Sequence, residues 1–397
     1  MTNGQITMPP AVARLQLPAL IIGVLGLVVF VLTALIDRAA FFQGYLVAYL
    51  FWAGIPLGSL ALLMLQHLTG GQWGLVIRRT LEASTRTLPL FVLLFVPIIV
   101  GAGYLYPWMN HELMAEKPVL ADKARYLNLS FFIVRAAIYF AIWLGAAYLL
   151  NSWSLRQDRA ADRGSTKKMR MLSGPGLVFF ILAVSFAAID WSMSLRPEWY
   201  STIYGLIYVA AWALSALAFT TLALSQLWKQ ETLSRVVKAS HFHDLGKLLL
   251  ALVMLWAYFA FSQFLIIWSG NLPEEIHWYL PRVKGAWGAI ALVVVIFHFG
   301  FPFLLLLTRR VKRDPKILAL VASLVLLMRL LDQFWMILPE FDHGHTSLMS
   351  VAAAVVAQVG IGGLWLATFL WQLGKRPLLP VNDPQFEALL AQTEVSH

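Results

Sequence analysis

Residues Trp256–Tyr279 read WAYFAFSQFLIIWSGNLPEEIHWY. The stretch begins as an apolar run and leaves the bilayer at Trp268. It ends in a loop holding the Glu274-Glu275 pair, Trp278 and Tyr279, with Pro273 and Pro281 nearby. Tyr258, Ser262 and Gln263 interrupt the apolar run itself. An uncharged run of this kind is a transmembrane helix, because about 20 residues at 1.5 Å each cross ~30 Å of hydrocarbon. Trp and Tyr seat at the membrane–water interface, so the aromatic exit marks that boundary. Two readings of the exit stay open. One is an aromatic belt with a loop that caps the helices. The other is a docking surface for a partner, formed by Trp108, Trp268, Glu274, Glu275, Trp278 and Tyr279.

The rest of the chain shares this character. Hydrophobic residues make up 60% of the sequence and charged residues 13%, against about 25% charged in soluble domains. The mean hydropathy is +0.73. The chain is an all-α, polytopic membrane protein. It has no cysteine, which excludes disulfides, Cys-ligated iron–sulfur clusters and Cys-ligated zinc in this chain. The net charge of +10 does not call for nucleic acid, since short basic loops between spans account for it.

Ten spans are expected: Leu17–Ile36, Tyr45–Leu68, Leu88–Tyr106, Phe131–Leu150, Gly176–Ser194, Ile203–Trp228, Leu245–Trp268, Trp287–Thr308, Lys316–Leu338 and Ser350–Leu373. Residues 1–16 form a tail without a charged signal-peptide n-region, 17–373 the membrane domain and 374–397 a second tail. Lys and Arg crowd the even loops, as in Arg309-Arg310-Val311-Lys312-Arg313, and are sparse in the odd loops, as with Arg196. Positive charge stays inside. Both termini are therefore expected in the cytoplasm, with the Ser269–Ala286 loop outside. A faint repeat accompanies this order. Span five ends Ile189-Asp190-Trp191-Ser192-Met193 and span nine ends Leu331-Asp332-Gln333-Phe334-Trp335-Met336. The offset of four spans predicts two four-helix bundles, helices 2–5 and 6–9, flanked by helices 1 and 10.

Ionisable residues inside spans are costly and mark function or pairing. Arg135, Asp190, Arg329 and Asp332 are placed in the outer half. His298 falls about 16 Å into span eight, near the midplane. His67, His241, His243, Asp244 and Lys247 lie on the inner side, with Tyr258 and Gln263 between the two groups. Arg135 with Asp190, and Arg329 with Asp332, read as ion pairs that lock helices together. The sharper reading makes these residues a two-part proton path, which suits His because its ordinary pKa is near 6.5. The segment from His241 to Lys247 also reads as a solvated helix start. Bis-histidine haem needs two deep His on facing helices, and only His298 is deep. No redox centre is evident in the chain itself. A quinone needs only an apolar slot and one or two polar groups, so the sequence permits one.

Several long runs resemble a known family. They are Phe51–Leu90 (FWAGIPLGSLALLMLQHLTGGQWGLVIRRTLEASTRTLPL), Leu105–Trp108, Phe131–Trp143 (FFIVRAAIYFAIW), Ala187–Gly205 (AAIDWSMSLRPEWYSTIYG) and Ser262–Tyr279. Over about residues 40–340 the chain is similar to the ActF subunits of bacterial alternative complex III, within the NrfD/polysulfide-reductase-like membrane anchors. The resemblance implies ten helices holding two four-helix bundles. It implies a quinol:cytochrome c oxidoreductase complex in the bacterial inner membrane. The implied partners are a sister NrfD-like subunit, an iron–sulfur subunit, multihaem and monohaem cytochromes c, and a terminal oxidase downstream. Haem c and iron–sulfur clusters would sit in those partners, and the working quinone site in the sister subunit. This chain would serve assembly and offer a proton route, without catalysis of its own. The alternative class is a ten-helix secondary transporter with a charged midplane site. A third reading is a purely structural anchor.

Overall fold

The computed structural model describes residues 7–386 apart from 111, 113, 115–117, 161–162, 342–346 and 381. The far ends of both expected tails lie outside the described residues. Ten helices are long and apolar enough to cross a membrane. They are α1 (Pro10–Ile36), α2 (Arg38–Thr69), α3 (Gln72–Val100), α4 (Leu129–Arg159), α5 (Gly164–Leu195), α6 (Tyr204–Leu227), α7 (Ala239–Gly270), α8 (Gly285–Leu307), α9 (Pro315–Phe341) and α10 (Leu348–Gly374). Each of the ten expected spans overlaps one of them, although Leu88–Tyr106 runs six residues past the end of α3. Among the described residues there is no strand. Helices suit this composition because each satisfies its own backbone groups where water is absent.

Hydropathy alone does not separate these helices, but burial does. Of the most apolar window of α2, 94% is buried inside the protein, and of α6 72%, against 17% for α1 and 22% for α7 and α8. α2 and α6 form the centre. Small residues let their backbones approach, as in other membrane helix pairs. A Cβ added at Gly58 would stand 1.9 Å from the Trp212 carbonyl oxygen, and one at Gly54 2.2 Å from the Trp212 ring. α1 packs on α10 through Gly23, Gly26, Gly360 and Gly363, where added Cβ atoms would likewise collide with backbone. α2 also packs on α3 and α5, and α4 on α5. α6 packs on α7 and α9, and α8 on the same two helices.

α3 departs from a plain span. Pro89 and Pro97 each open a new helical segment, since proline cannot donate the next helical bond. The breaks free carbonyls, and α2 caps them. The Tyr45 hydroxyl donates to the Leu94 carbonyl at 2.6 Å and that of Tyr49 to the Phe91 carbonyl at 3.1 Å. α8 departs as well: Val295–Gly300 winds as a π-helical turn, a form that recurs at functional sites.

Candidate functional site

One end of the molecule gathers the aromatic exits, the end of α5 and the start of α6. We call it the cap end. Asp190, near the end of α5, is fully buried. It accepts from Arg135 Nε at 2.8 Å, from Arg135 Nη2 at 2.9 Å and from the Tyr139 hydroxyl at 2.8 Å. The Arg135 guanidinium also donates to the Tyr126 carbonyl at 2.7 Å and lies 3.8 Å from the Tyr126 ring. This two-bond fork ties α4 to α5, in line with the helix-locking reading. Charge-assisted fork bonds of this kind are the strong ones.

The second pair differs. Arg329 donates to Asp332 three residues on, both buried and both on α9. It cannot lock two helices, and that part of the sequence reading is corrected. The i,i+3 spacing made the bond local. Between the two pairs runs a chain of hydroxyls. The Tyr208 hydroxyl donates to Ser192 Oγ at 2.8 Å, and Gln333 Nε2 donates to the Tyr208 hydroxyl at 3.2 Å. Ser192 Oγ also lies 2.6 Å from the Tyr204 hydroxyl. These bonds cross from α5 through α6 to α9, one residue from Asp332.

His298 is fully buried in the π turn of α8. Its ring meets the Trp256 ring edge-on at 4.2 Å. Neither ring nitrogen has a hydrogen-bonding partner. The π turn packs on α9, but no hydrogen bond joins His298 to Asp332. A cavity of about 620 Å³ opens between α7, α8 and α9. Its walls are apolar and aromatic, with Gln263, Tyr279 and Asp332 as polar points. Tyr258, 65% exposed, stands at its rim. Gln263 accepts from Ser201 Oγ at 2.8 Å and donates to the Tyr279 hydroxyl at 3.3 Å. Burial raises the Tyr279 phenol to about 12, so it stays protonated near neutral pH.

The residues read as a docking surface divide. Trp108 is buried and donates from Nε1 to Ser194 Oγ at 3.1 Å. Trp278 and Tyr279 are buried too. Trp278 stacks on Trp199 at 4.7 Å, and the fully buried Arg282 lies 3.6 Å over its ring. Glu340 accepts from Arg282 and from Arg196, each at 2.7 Å. Burial pushes the Arg282 guanidinium down, and Glu340 opposes that shift. These rings therefore build the cap from within. Trp268, at 63%, and Glu274 stay exposed, while Glu275 is half-buried with its carbonyl bonded to Trp199 Nε1.

At the opposite end, the predicted inner residues make separate contacts, one of which joins α7 to α3. His241 Nδ1 accepts from the Lys238 backbone at 2.9 Å and its Nε2 lies 3.2 Å from Gln72. Asp244 and Lys247 form an exposed i,i+3 pair at 3.0 Å. His67 is half-buried, and its Nε2 has no partner. No hydrogen bond among the described residues links these groups to His298 or Asp332.

The sequence reading missed a buried ionic network at this end. Arg78 and Arg79 fall between the expected spans Tyr45–Leu68 and Leu88–Tyr106, yet they lie on α3 with 0% and 2% exposure. Glu82 accepts from Arg78 Nε at 3.0 Å, Arg79 Nη1 at 2.7 Å and Ser154 Oγ at 2.6 Å. Arg79 also pairs with Asp158, and Arg78 with Asp383 at 2.6 Å, past the end of α10. The i,i+4 and i,i+3 spacing of Arg78 and Arg79 to Glu82 was the available signal. Among the described residues no three His, Asp or Glu side chains gather as a metal ion would need.

No family model and no curated protein matches this chain.

Proposed function

We propose that this chain is an ActF-like membrane subunit of a quinol:cytochrome c oxidoreductase, of the alternative complex III type. Its termini lie in the cytoplasm and its cap end faces outside. Helices α2–α5 and α6–α9 act as two four-helix units, with α1 and α10 at their flank. One observation carries the reading. The long motifs behind the resemblance supply the residues that build the buried cap-end centres. The Phe131–Trp143 run brings Arg135 and Tyr139 to Asp190, which the Ala187–Gly205 run provides. The latter run also provides Ser192, Arg196, Trp199 and Tyr204. The Ser262–Tyr279 run provides Gln263, Trp278 and Tyr279.

In this reading the cap end seats the iron–sulfur subunit and the cytochromes. The sister NrfD-like subunit carries the working quinol site. The fork at Asp190 holds α4 and α5 rigid. Asp332 and His298 are ionisable groups in an apolar setting and form the cap-side part of a proton route in a bacterial inner membrane. Capture from native membranes through a tag on this chain is expected to yield quinol-dependent cytochrome c reduction. Captured protein without that activity would contradict the assignment.

A further inference from the structure

We propose that the basic patch where the end of α8 meets the start of α7 binds the phosphate head of an anionic phospholipid. Nothing in this site depends on the complex assignment. After α8 the backbone turns at Thr308, and Arg309–Arg313 forms a short helix that packs on α7 and α9. Four of its five residues, Arg309, Arg310, Lys312 and Arg313, are cations. Lys312 lies so close to α7 that a Cβ added at Gly246 would stand 2.6 Å from its Cγ. Only 8% of Lys312 is exposed, and among the described residues its ammonium has no hydrogen bond and no ion pair. His243, on the facing turn of α7, has a buried Nδ1 without a partner. Lys247, Lys312 and Arg309 stand within electrostatic reach of that ring.

The neighbouring carboxylates are already engaged. Asp244 pairs with Lys247 at 3.0 Å. Asp314 caps α9, accepting from the Lys316 and Ile317 backbone at 2.8 and 3.1 Å. Cations gathered this closely repel one another, and an anion held among them removes that repulsion. Ammonium and guanidinium groups only donate hydrogen bonds, so the matching group only accepts them, as a phosphodiester does. Depth selects a lipid. α7 spans 32 residues, about 48 Å at 1.5 Å per residue, against ~30 Å of hydrocarbon. Centred in the bilayer, it reaches about 9 Å into the headgroup layer on each side. His243 and Lys247 lie about 6 and 12 Å along it from Ala239, at the level of the lipid phosphates. A lysine with a buried stem presents its ammonium at that level, and basic pockets between membrane helices hold such heads. Leu304 and Leu307, 62% and 53% exposed just before the cations, offer the acyl chains an apolar surface. A zwitterionic head carries a cation of its own, which this patch repels.

The test is native mass spectrometry of the full chain, delipidated in detergent and titrated with phosphatidylglycerol or with phosphatidylcholine of the same acyl chains. A saturable phosphatidylglycerol adduct is expected, at least tenfold tighter than that of phosphatidylcholine. Lys312→Met keeps the buried stem and removes the charge. It should weaken the adduct about fivefold or more, the effect of one cation beside an anionic head. Arg309→Gln with Arg310→Gln should weaken it by at least as much. Lys167→Gln with Lys168→Gln removes two exposed cations at the start of α5 and should leave it unchanged. Equal binding of the two lipids would overturn the proposal. So would an unchanged adduct in both patch variants, or an equal loss in the Lys167, Lys168 variant. Displacement of the lipid by inorganic phosphate at the same concentration would show a site for the free ion and overturn the lipid. The comparison of lipids on the unaltered chain does not depend on any variant folding.

Discussion

Asp190→Asn isolates what the cap-end fork contributes. The side chain keeps its shape but loses its charge. Asp190 now accepts three hydrogen bonds, two of them from Arg135. Asparagine offers one oxygen and turns an NH₂ group toward the donors of Arg135 or Tyr139. Arg135, with a side chain only 7% exposed, is left as a buried cation without its anion. Breaking such a pair costs about 3–5 kcal/mol. Arg135 keeps the Tyr126 carbonyl and two aromatic rings at 3.8 and 4.4 Å, which points to the lower figure. About 3 kcal/mol is roughly a hundredfold in the unfolding equilibrium, at about 1.4 kcal/mol per factor of ten. The assay is denaturant titration of the purified chain in mixed micelles, followed by tryptophan fluorescence. The double variant Arg135→Met, Asp190→Leu should recover most of the loss, because a buried pair replaced by apolar residues is often neutral. Asp190→Asn within about 0.5 kcal/mol of the unaltered chain would refute the structural role, since that is the scatter of an ordinary surface substitution.

Asp332→Asn leaves the buried Arg329 without its anion, so stability should fall by about 3–5 kcal/mol; in the complex that still assembles, protons moved per electron, read as acidification by proteoliposomes alongside quinol turnover, should fall, and an unchanged ratio removes Asp332 from the route. Glu274→Lys with Glu275→Lys should weaken attachment of the extrinsic subunits, since mismatched charge at an interface costs several kcal/mol; intact stoichiometry would make the loop a cap only. Cysteine placed at the exposed Glu274 should react with an impermeant thiol reagent before the inner membrane is opened, and reaction only afterwards reverses the topology. Asp383→Asn should loosen the segment after α10, because Arg78 loses a buried partner at 2.6 Å; protease digestion of that segment as slow as in the unaltered chain would contradict this.

The spans were legible because each is a long apolar run whose backbone can be satisfied only as a helix. Their ends were not. Charge marks exit from hydrocarbon, while helical hydrogen bonding carries on. α3 therefore starts at Gln72, well before the expected Leu88, and takes Arg78, Arg79 and Glu82 into the interior. The Arg135–Asp190 pair was readable from depth and sign. Its fork geometry was not, since it needs the facing of two helices. Aromatic exits misled in a different way. Trp and Tyr at a boundary look alike whether they stay exposed, as Trp268 does, or stack inward, as Trp278 does on Trp199. The cavity's polar lining residues Tyr258, Gln263, Tyr279 and Asp332 were legible one by one, but their meeting in one space was not, since it depends on how α7, α8 and α9 face one another.

In the proposed function this chain works inside a quinol-oxidising complex. Native membranes solubilised in mild detergent, followed by mass spectrometry of what co-migrates with the tagged chain, test it most directly. A second ten-helix NrfD-like subunit, an iron–sulfur subunit and c-type cytochromes are expected in fixed ratio. Migration of the chain by itself, or only with copies of itself, would contradict it.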